Sequence, residues 1–207
     1  MFRTIGLALA ATAITFATPA TTAIAGGDSR PPGSAFLSPA AAEAALGSWG
    51  LQDWKRVNSV PSRLHFDDSC APGLHPDRTV RVLRDRDDPH PATASIRSAI
   101  KQYGTVSAAK RVKLDRRDRL HDCVNDLPGH DQLLNGMRVT SPSGTARVFG
   151  GALGSRGGSR QLEYVVVARD GAAVELMTLH IYAQDTPFRA AIRDLTERLL
   201  HRLHRAA

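Results

Sequence analysis

Two cysteines, Cys70 and Cys123, are all that this 207-residue chain contains. A disulfide-dense scaffold is therefore excluded, and so is a zinc site built on four thiolates. No uninterrupted apolar stretch reaches the ~20 residues that a membrane helix requires. The chain has no G-x-S-x-G elbow, no H-E-x-x-H pair and no kinase signature, which removes three recognisable routes to catalysis. Its glycine-rich run, Gly150-Gly151-Ala152-Leu153-Gly154-Ser155-Arg156-Gly157-Gly158, matches neither a phosphate loop nor a dinucleotide fingerprint, because no Lys-Ser/Thr pair and no helix follow it.

What is present begins at the N-terminus. Arg3, an apolar run from Ile5 to Phe16 and the small-residue site Ala23-Ile24-Ala25 read as a secretory signal spanning 1–25, with cleavage between Ala25 and Gly26. Thr12, Thr15, Thr18 and Pro19 interrupt the run, which favours cleavage over retention as an anchor. No cysteine stands at the cleavage site, so the lipid attachment of a bacterial lipoprotein is not expected. The expected product is secreted, in an oxidising compartment, with no transmembrane segment. Residues 26–37, rich in Gly, Ser, Pro and Ala, are expected to form a flexible leader. Residues 38–207 then suffice for one domain, expected to be a monomer.

The formal net charge is +7, with 27 Lys and Arg against 20 Asp and Glu. That balance suits an anionic envelope component. Acids interleave with the bases in Arg84-Asp85-Arg86-Asp87-Asp88 and in Asp115-Arg116-Arg117-Asp118-Arg119, the pattern of a solvated face. No nucleic-acid-binding signature accompanies the charge, so no specific nucleic acid is expected as a partner.

Periodicity divides the chain into three blocks. Ser38 and Pro39 open a short alanine-rich helix that stops at Gly47. An edge strand is expected over 79–83. Ile96 to Tyr103 reads as a strand, Gly104 as its end, and 106–124 as an amphipathic helix with Cys123 in the last turn. A third block contains strands near 146–153, 162–169 and 174–181. Gly154 to Ser159 and Asp170-Gly171 are the hairpin signals between them, and Thr186-Pro187 opens a closing helix on which Phe188, Ile192, Leu195, Leu199 and Leu203 recur. The predicted fold is α+β: a mostly antiparallel meander packed by two long amphipathic helices.

A bridge from Cys70 to Cys123 fits an exported chain with an even cysteine count, and in the chain-entropy model contributes roughly 4 kcal/mol. The competing reading, a thiol nucleophile assisted by His121, fails because residues two apart on a helix do not face each other. No metal site is expected. His201 and His204 share a helix face but lack a third ligand, and Asp126, His130 and Asp131 form only a loose local group. The acid pairs Asp67-Asp68 and Asp87-Asp88 read as solvated loop residues. No catalytic residue and no cofactor are assigned.

Ser98-Ala99-Ile100-Lys101-Gln102-Tyr103, then Gly104 and the helix ending His121-Asp122-Cys123, resemble the strand, helix and terminal cysteine of the PknH-like extracellular sensor domains of actinobacteria. Asp68-Ser69-Cys70-Ala71-Pro72 is similar to their loop cysteine, and the meander with its final helix extends the likeness over most of the mature chain. The resemblance implies a non-catalytic, ligand-sensing domain of the cell envelope or extracellular space, with an unknown small molecule or an anionic envelope component as ligand. Two alternatives remain: a secreted hydrolase with an acid or histidine site, and a basic protein that binds an envelope polymer. A largely apolar cleft favours the first reading, converging acids or histidines the second, and arginines gathered on one face the third.

Overall fold

The computed structural model describes residues 31–49, 51, 53–57, 80–84, 94–156, 159–183 and 189–205. The strands are β1 (Lys55–Val57), β2 (Val80–Arg84), β3 (Ala94–Gln102), β4 (Gln132–Ser141), β5 (Gly144–Arg156), β6 (Ser159–Asp170) and β7 (Ala173–Ala183). The α-helices are α1 (Pro39–Leu46), α2 (Val106–Asn125) and α3 (Arg189–His204). All strand pairs are antiparallel, in the order β1-β2-β3-β7-β6-β5-β4. The fold is α+β, as expected.

Each helix begins where local chemistry dictates. The Ser38 hydroxyl accepts from the Ala41 amide at 3.2 Å with Pro39 at the first helical position, and Thr105 caps α2 by accepting from Ala108 at 3.1 Å. The expected cap of α3 at Thr186 lies outside the described residues.

Alternation along β6 and β7 assigns the two faces of the sheet. Leu162, Tyr164, Val166, Met177, Leu179 and Ile181 share one core with α1 and α3, which buries Ile192, Leu195, Leu199, Leu200 and Leu203. Each such side chain contributes roughly 1.5–3 kcal/mol by leaving water. Val165, Val167, Val174, Leu176 and Phe149 face the other way and meet Ala109, Leu120 and Val124 of α2. The two long helices thus cover opposite faces, and the strands they share read as nearly continuous apolar runs for that reason.

Several boundaries differ from expectation. β4 extends the meander to four strands; register shifts between Gln132 and Leu134 and between Asn135 and Met137 break the period of two by which a strand is read from sequence. β5 continues to Arg156, so Gly154 belongs to the strand, at an irregularity where its φ of 144° suits a residue without Cβ. The β6–β7 turn falls on Gly171-Ala172, because Asp170 already pairs with Ala173. Ala35, Phe36 and Leu37 are fully buried in the α3-side core, and Arg202 donates to the Phe36 carbonyl at 3.3 Å and to the Ser38 hydroxyl at 2.8 Å. Hydrophobic burial begins before the first helix.

Candidate functional site: a basic cleft beneath α2

The α2 face of the sheet changes character along its strands. Phe149 and Val165 lie under the helix, but towards the β4–β5 turn the same face carries Arg138, Arg147, Thr145 and Arg169. Arg138 stands directly opposite Arg147 across β4 and β5, and Thr145 directly opposite Arg169 across β5 and β6. Like charges facing each other across a strand pair destabilise a sheet. The helix adds Lys110, Lys113 and Arg117, and among the described residues no carboxylate lines the resulting cleft of about 240 Å3.

Lys113 is the most perturbed of these groups. Its ammonium donates to the Thr145 carbonyl at 2.9 Å and to the Thr145 hydroxyl, which leaves one of its three protons uncommitted. Burial, then the positive charges of Arg169, Arg147, Arg138 and Arg117, pull its pKa down to about 8. The arginines are held by backbone and hydroxyl oxygens: Arg147 donates to the Gly136 carbonyl at 2.8 Å, Arg169 to the Gly171 carbonyl at 2.9 Å, and Arg138 to the Thr140 hydroxyl at 3.2 Å. Such contacts fix the guanidinium groups in place without neutralising them. Among the described residues, Arg117 of this group pairs with a carboxylate, Asp118 at 2.5 Å.

The outer surface of α2 is different. Asp115 bridges Arg119 one turn on at 3.3 Å, so the alternation of signs predicted for this helix holds on its exposed side. Beneath the helix the charge is of one sign. Chemically, the cleft offers planar guanidinium forks and an ammonium to an anion.

A second polar group lies on the same face, six residues along β6 from Arg169, hence about 20 Å away. Glu163 is buried directly opposite His180, whose Nε2 is 2.9 Å from the Gln161 amide nitrogen and whose ring meets Tyr182 edge-on at 5.3 Å. On the opposite face Glu175 is wholly buried beside Ile100 and Ala168, and neither of its carboxyl oxygens has a hydrogen-bonding partner in good geometry. Burial drives its pKa well above the ordinary carboxylate value, an effect that the nearby Ser98 hydroxyl only partly offsets.

The residues singled out in the sequence are dispersed. Cys123 is half-buried in the last turn of α2. Cys70, Ala25, Gly26 and the acid pairs at 67–68 and 87–88 lie outside the described residues, and Cys123 is not a free thiol. His121 is exposed, with its Nδ1 3.1 Å from Asn125. His204 turns to Asp170 at 3.0 Å while His201 lines a separate groove with Glu197 and Arg198, so the two do not converge. Asp131 pairs with Arg160 at 3.5 Å rather than with Asp126. Among the described residues no group of three His, Cys, Asp or Glu side chains is placed to hold a metal ion, and no helix is long and apolar enough to cross a membrane.

No protein-family model matches the chain, and no curated protein matches it. Among solved structures, similar chains include the extracellular domain of PknH from Mycobacterium tuberculosis, at 11% identity over 86% of this chain and 99% of that one with a TM-score of 0.47. Another is LpqN, described as involved in cell envelope biogenesis of Mycobacterium tuberculosis, at 16% identity over 72% of this chain and 78% of that one, TM-score 0.32. A protein from Bacteroides thetaiotaomicron aligns at 8% identity and a TM-score of 0.37 over 68% of this chain, which spans only 39% of that protein. These likenesses concern the general arrangement of the chain, and the basic cleft is argued from this protein's residues alone.

Proposed function

We propose that this protein is an extracytoplasmic, non-catalytic binding domain whose ligand is anionic and occupies the cleft between α2 and strands β4–β6. The observation that carries the reading is the pair Arg138–Arg147, placed directly opposite on adjacent strands beside a half-buried Lys113, with no carboxylate lining the cleft among the described residues. A fold retains such a concentration of one charge at a cost in stability. A bound anion offsets that cost.

The signal at 1–25 supplies the compartment in this reading, and the Cys70–Cys123 bridge suits it. Of the three hypotheses, arginines gathered on one face favour the third, a basic protein that binds an anionic envelope component. The Glu163–His180 group, the one place among the described residues where an acid and a histidine meet on adjacent strands, lies away from that cleft.

The test is retention on an immobilised polyanion such as heparin as salt is raised. The double variant Arg138→Gln/Arg147→Gln should elute at clearly lower salt than the Arg119→Gln/Arg198→Gln variant, which removes the same charge from helix surfaces. Equal elution of the two variants would reduce the basic charge to a diffuse surface property and remove the site.

A further inference from the structure

Building on the reading of the α2 cleft as an anion site, we infer that its ligand is a compact phosphoryl group carrying two or more negative charges, a phosphate monoester or diphosphate, gripped by Arg138, Arg147, Arg169 and Lys113.

The distribution of charge argues for a small ligand rather than a long polyanion. Outside the cleft, acids alternate with bases along α2 and neutralise them locally, as Asp115 does for Arg119. Inside, the cations converge from one helix and three adjacent strands. A polymer tracks a stripe of charge on an open surface; a concave site with an unneutralised interior takes a group that fits within it. At about 240 Å3 the cleft is smaller than the ~300–1,000 Å3 typical of drug-sized ligands, which suits a head group and leaves little room for a whole organic molecule.

Valence and geometry narrow the class. Arg138, Arg147 and Arg169 each commit one described hydrogen bond to the protein, so the remaining edges of these five-donor forks are available for bidentate pairing with phosphate or carboxylate oxygens. A carboxylate or a sulfate monoester brings one charge to these cations. A phosphate monoester brings about 1.5–2 at pH 7 and three acceptor oxygens, and a diphosphate brings more. Thr145 holds Lys113 so that its remaining proton adds a donor from the helix side.

Leu114, 38% exposed, stands at the lip of this cleft. A phosphoryl group presented by a lipid would set its apolar portion against that side chain, whereas a soluble phosphate ester would not use it. Both sources share the head-group chemistry.

Titration calorimetry on the purified protein with methyl phosphate, methyl sulfate and acetate at matched ionic strength tests the inference. Methyl phosphate at pH 7.5 should bind one per chain and at least tenfold tighter than methyl sulfate, and the gap should close towards pH 5 as the phosphate loses its second charge near pH 6. Arg147→Gln and Arg169→Gln should each weaken methyl phosphate at least tenfold, in proteins whose near-ultraviolet circular dichroism matches the parent. Phosphatidic acid vesicles supply the second arm. Binding to them that methyl phosphate displaces and Arg147→Gln abolishes assigns a lipid source, and methyl phosphate binding without vesicle binding assigns a soluble one. Equal affinity for the phosphate and sulfate esters, both dependent on Arg147, overturns the inference and leaves the anion-site reading standing. No heat with any small anion, together with heparin retention indifferent to Arg138 and Arg147, overturns both.

Discussion

Lys113 of α2 donates to both the carbonyl and the hydroxyl of Thr145, thirty-two residues away at the start of β5. One side chain thereby ties the middle of the helix to the sheet and sets a positive charge among arginines from three strands. The cleft and the helix packing share this contact, which makes it the place where function and stability are coupled.

Because the folded pKa of Lys113 lies near 8 against an ordinary 10.5, the folded protein releases this proton more readily than the unfolded chain does. Unfolding then takes up a proton between about pH 8 and 10.5, so this group's unfavourable contribution is full below pH 8 and fades as pH rises through that window. Denaturant melts of the parent and Lys113→Met should show the parent gaining on the variant from pH 7.5 to 9.5. Parallel curves would mean that Lys113 is as solvated folded as unfolded. The range stops at 9.5 because Tyr164, pushed up to about 12 by burial, acts in the opposite sense above pH 10.

Glu175 carries its carboxyl in the α3-side core, and the nearby Ser98 hydroxyl only partly compensates its burial. Its raised pKa means that the fold is least burdened by this group below about pH 4.5, where the acid is neutral in both states, and that stability is lost as pH rises above that value. Glu175→Gln should therefore stabilise the protein at pH 7.5 by an amount on the order of 1–3 kcal/mol. The advantage should vanish by pH 4.5. A variant equally stabilised at both values would point to packing, not ionisation.

The ring of Tyr164 lies across Gly150, its partner in the β5–β6 register. A Cβ at Gly150 would come within 2.5 Å of Tyr164 Cδ1, and the ring, buried on all sides, has nowhere to move. Gly150→Ala is expected to cost about 1–3 kcal/mol in urea unfolding. Gly151→Ala should cost less, since the atom its Cβ meets is the terminal methyl of Leu127, which can rotate away.

Arg202 holds the chain ahead of α1 through Phe36 and Ser38. Removing that fork with Arg202→Ala should speed limited proteolysis near residues 31–37 several-fold while leaving the sheet's hydrogen-exchange protection intact, because the hydrogen bonds described for the guanidinium go to Ser34, Phe36 and Ser38, ahead of α1. Protection lost across the sheet would make Arg202 part of the global fold.

The bridge proposed between Cys70 and Cys123 has a direct readout. Intact mass of the secreted protein before and after reduction, with a peptide map, should show one linked pair and a start at Gly26. Cys123→Ser should then cost about 2–5 kcal/mol. Two free thiols, or an intact Met1, would remove the compartment argument on which the proposed function leans.

Much of the architecture is legible along the chain because its signals are local. Ser38-Pro39 and Thr105 mark helix starts by satisfying orphan amides within three residues, and Ile192, Leu195, Leu199 and Leu203 declare a buried helix face by their spacing. The three valines at 165–167 announce a strand covered on both sides. β4 was not legible, since its two register shifts destroy the alternation by which strands are recognised.

The sequence by itself thus determined the α+β class, the capped helices, the central strands and the predominance of basic charge. Tertiary structure decided where that charge collects. Arg138, Arg147 and Arg169 are separated by nine and twenty-two residues, and each sits among ordinary strand neighbours; only the antiparallel register, summed over three strands, brings them to one face, and only the docking of α2 sets Lys113 against them. Side-chain direction in a strand alternates with every residue, so a single bulge decides whether an arginine meets solvent or a cleft. That decision depends on pairing partners distant in the chain, and no local pattern records it.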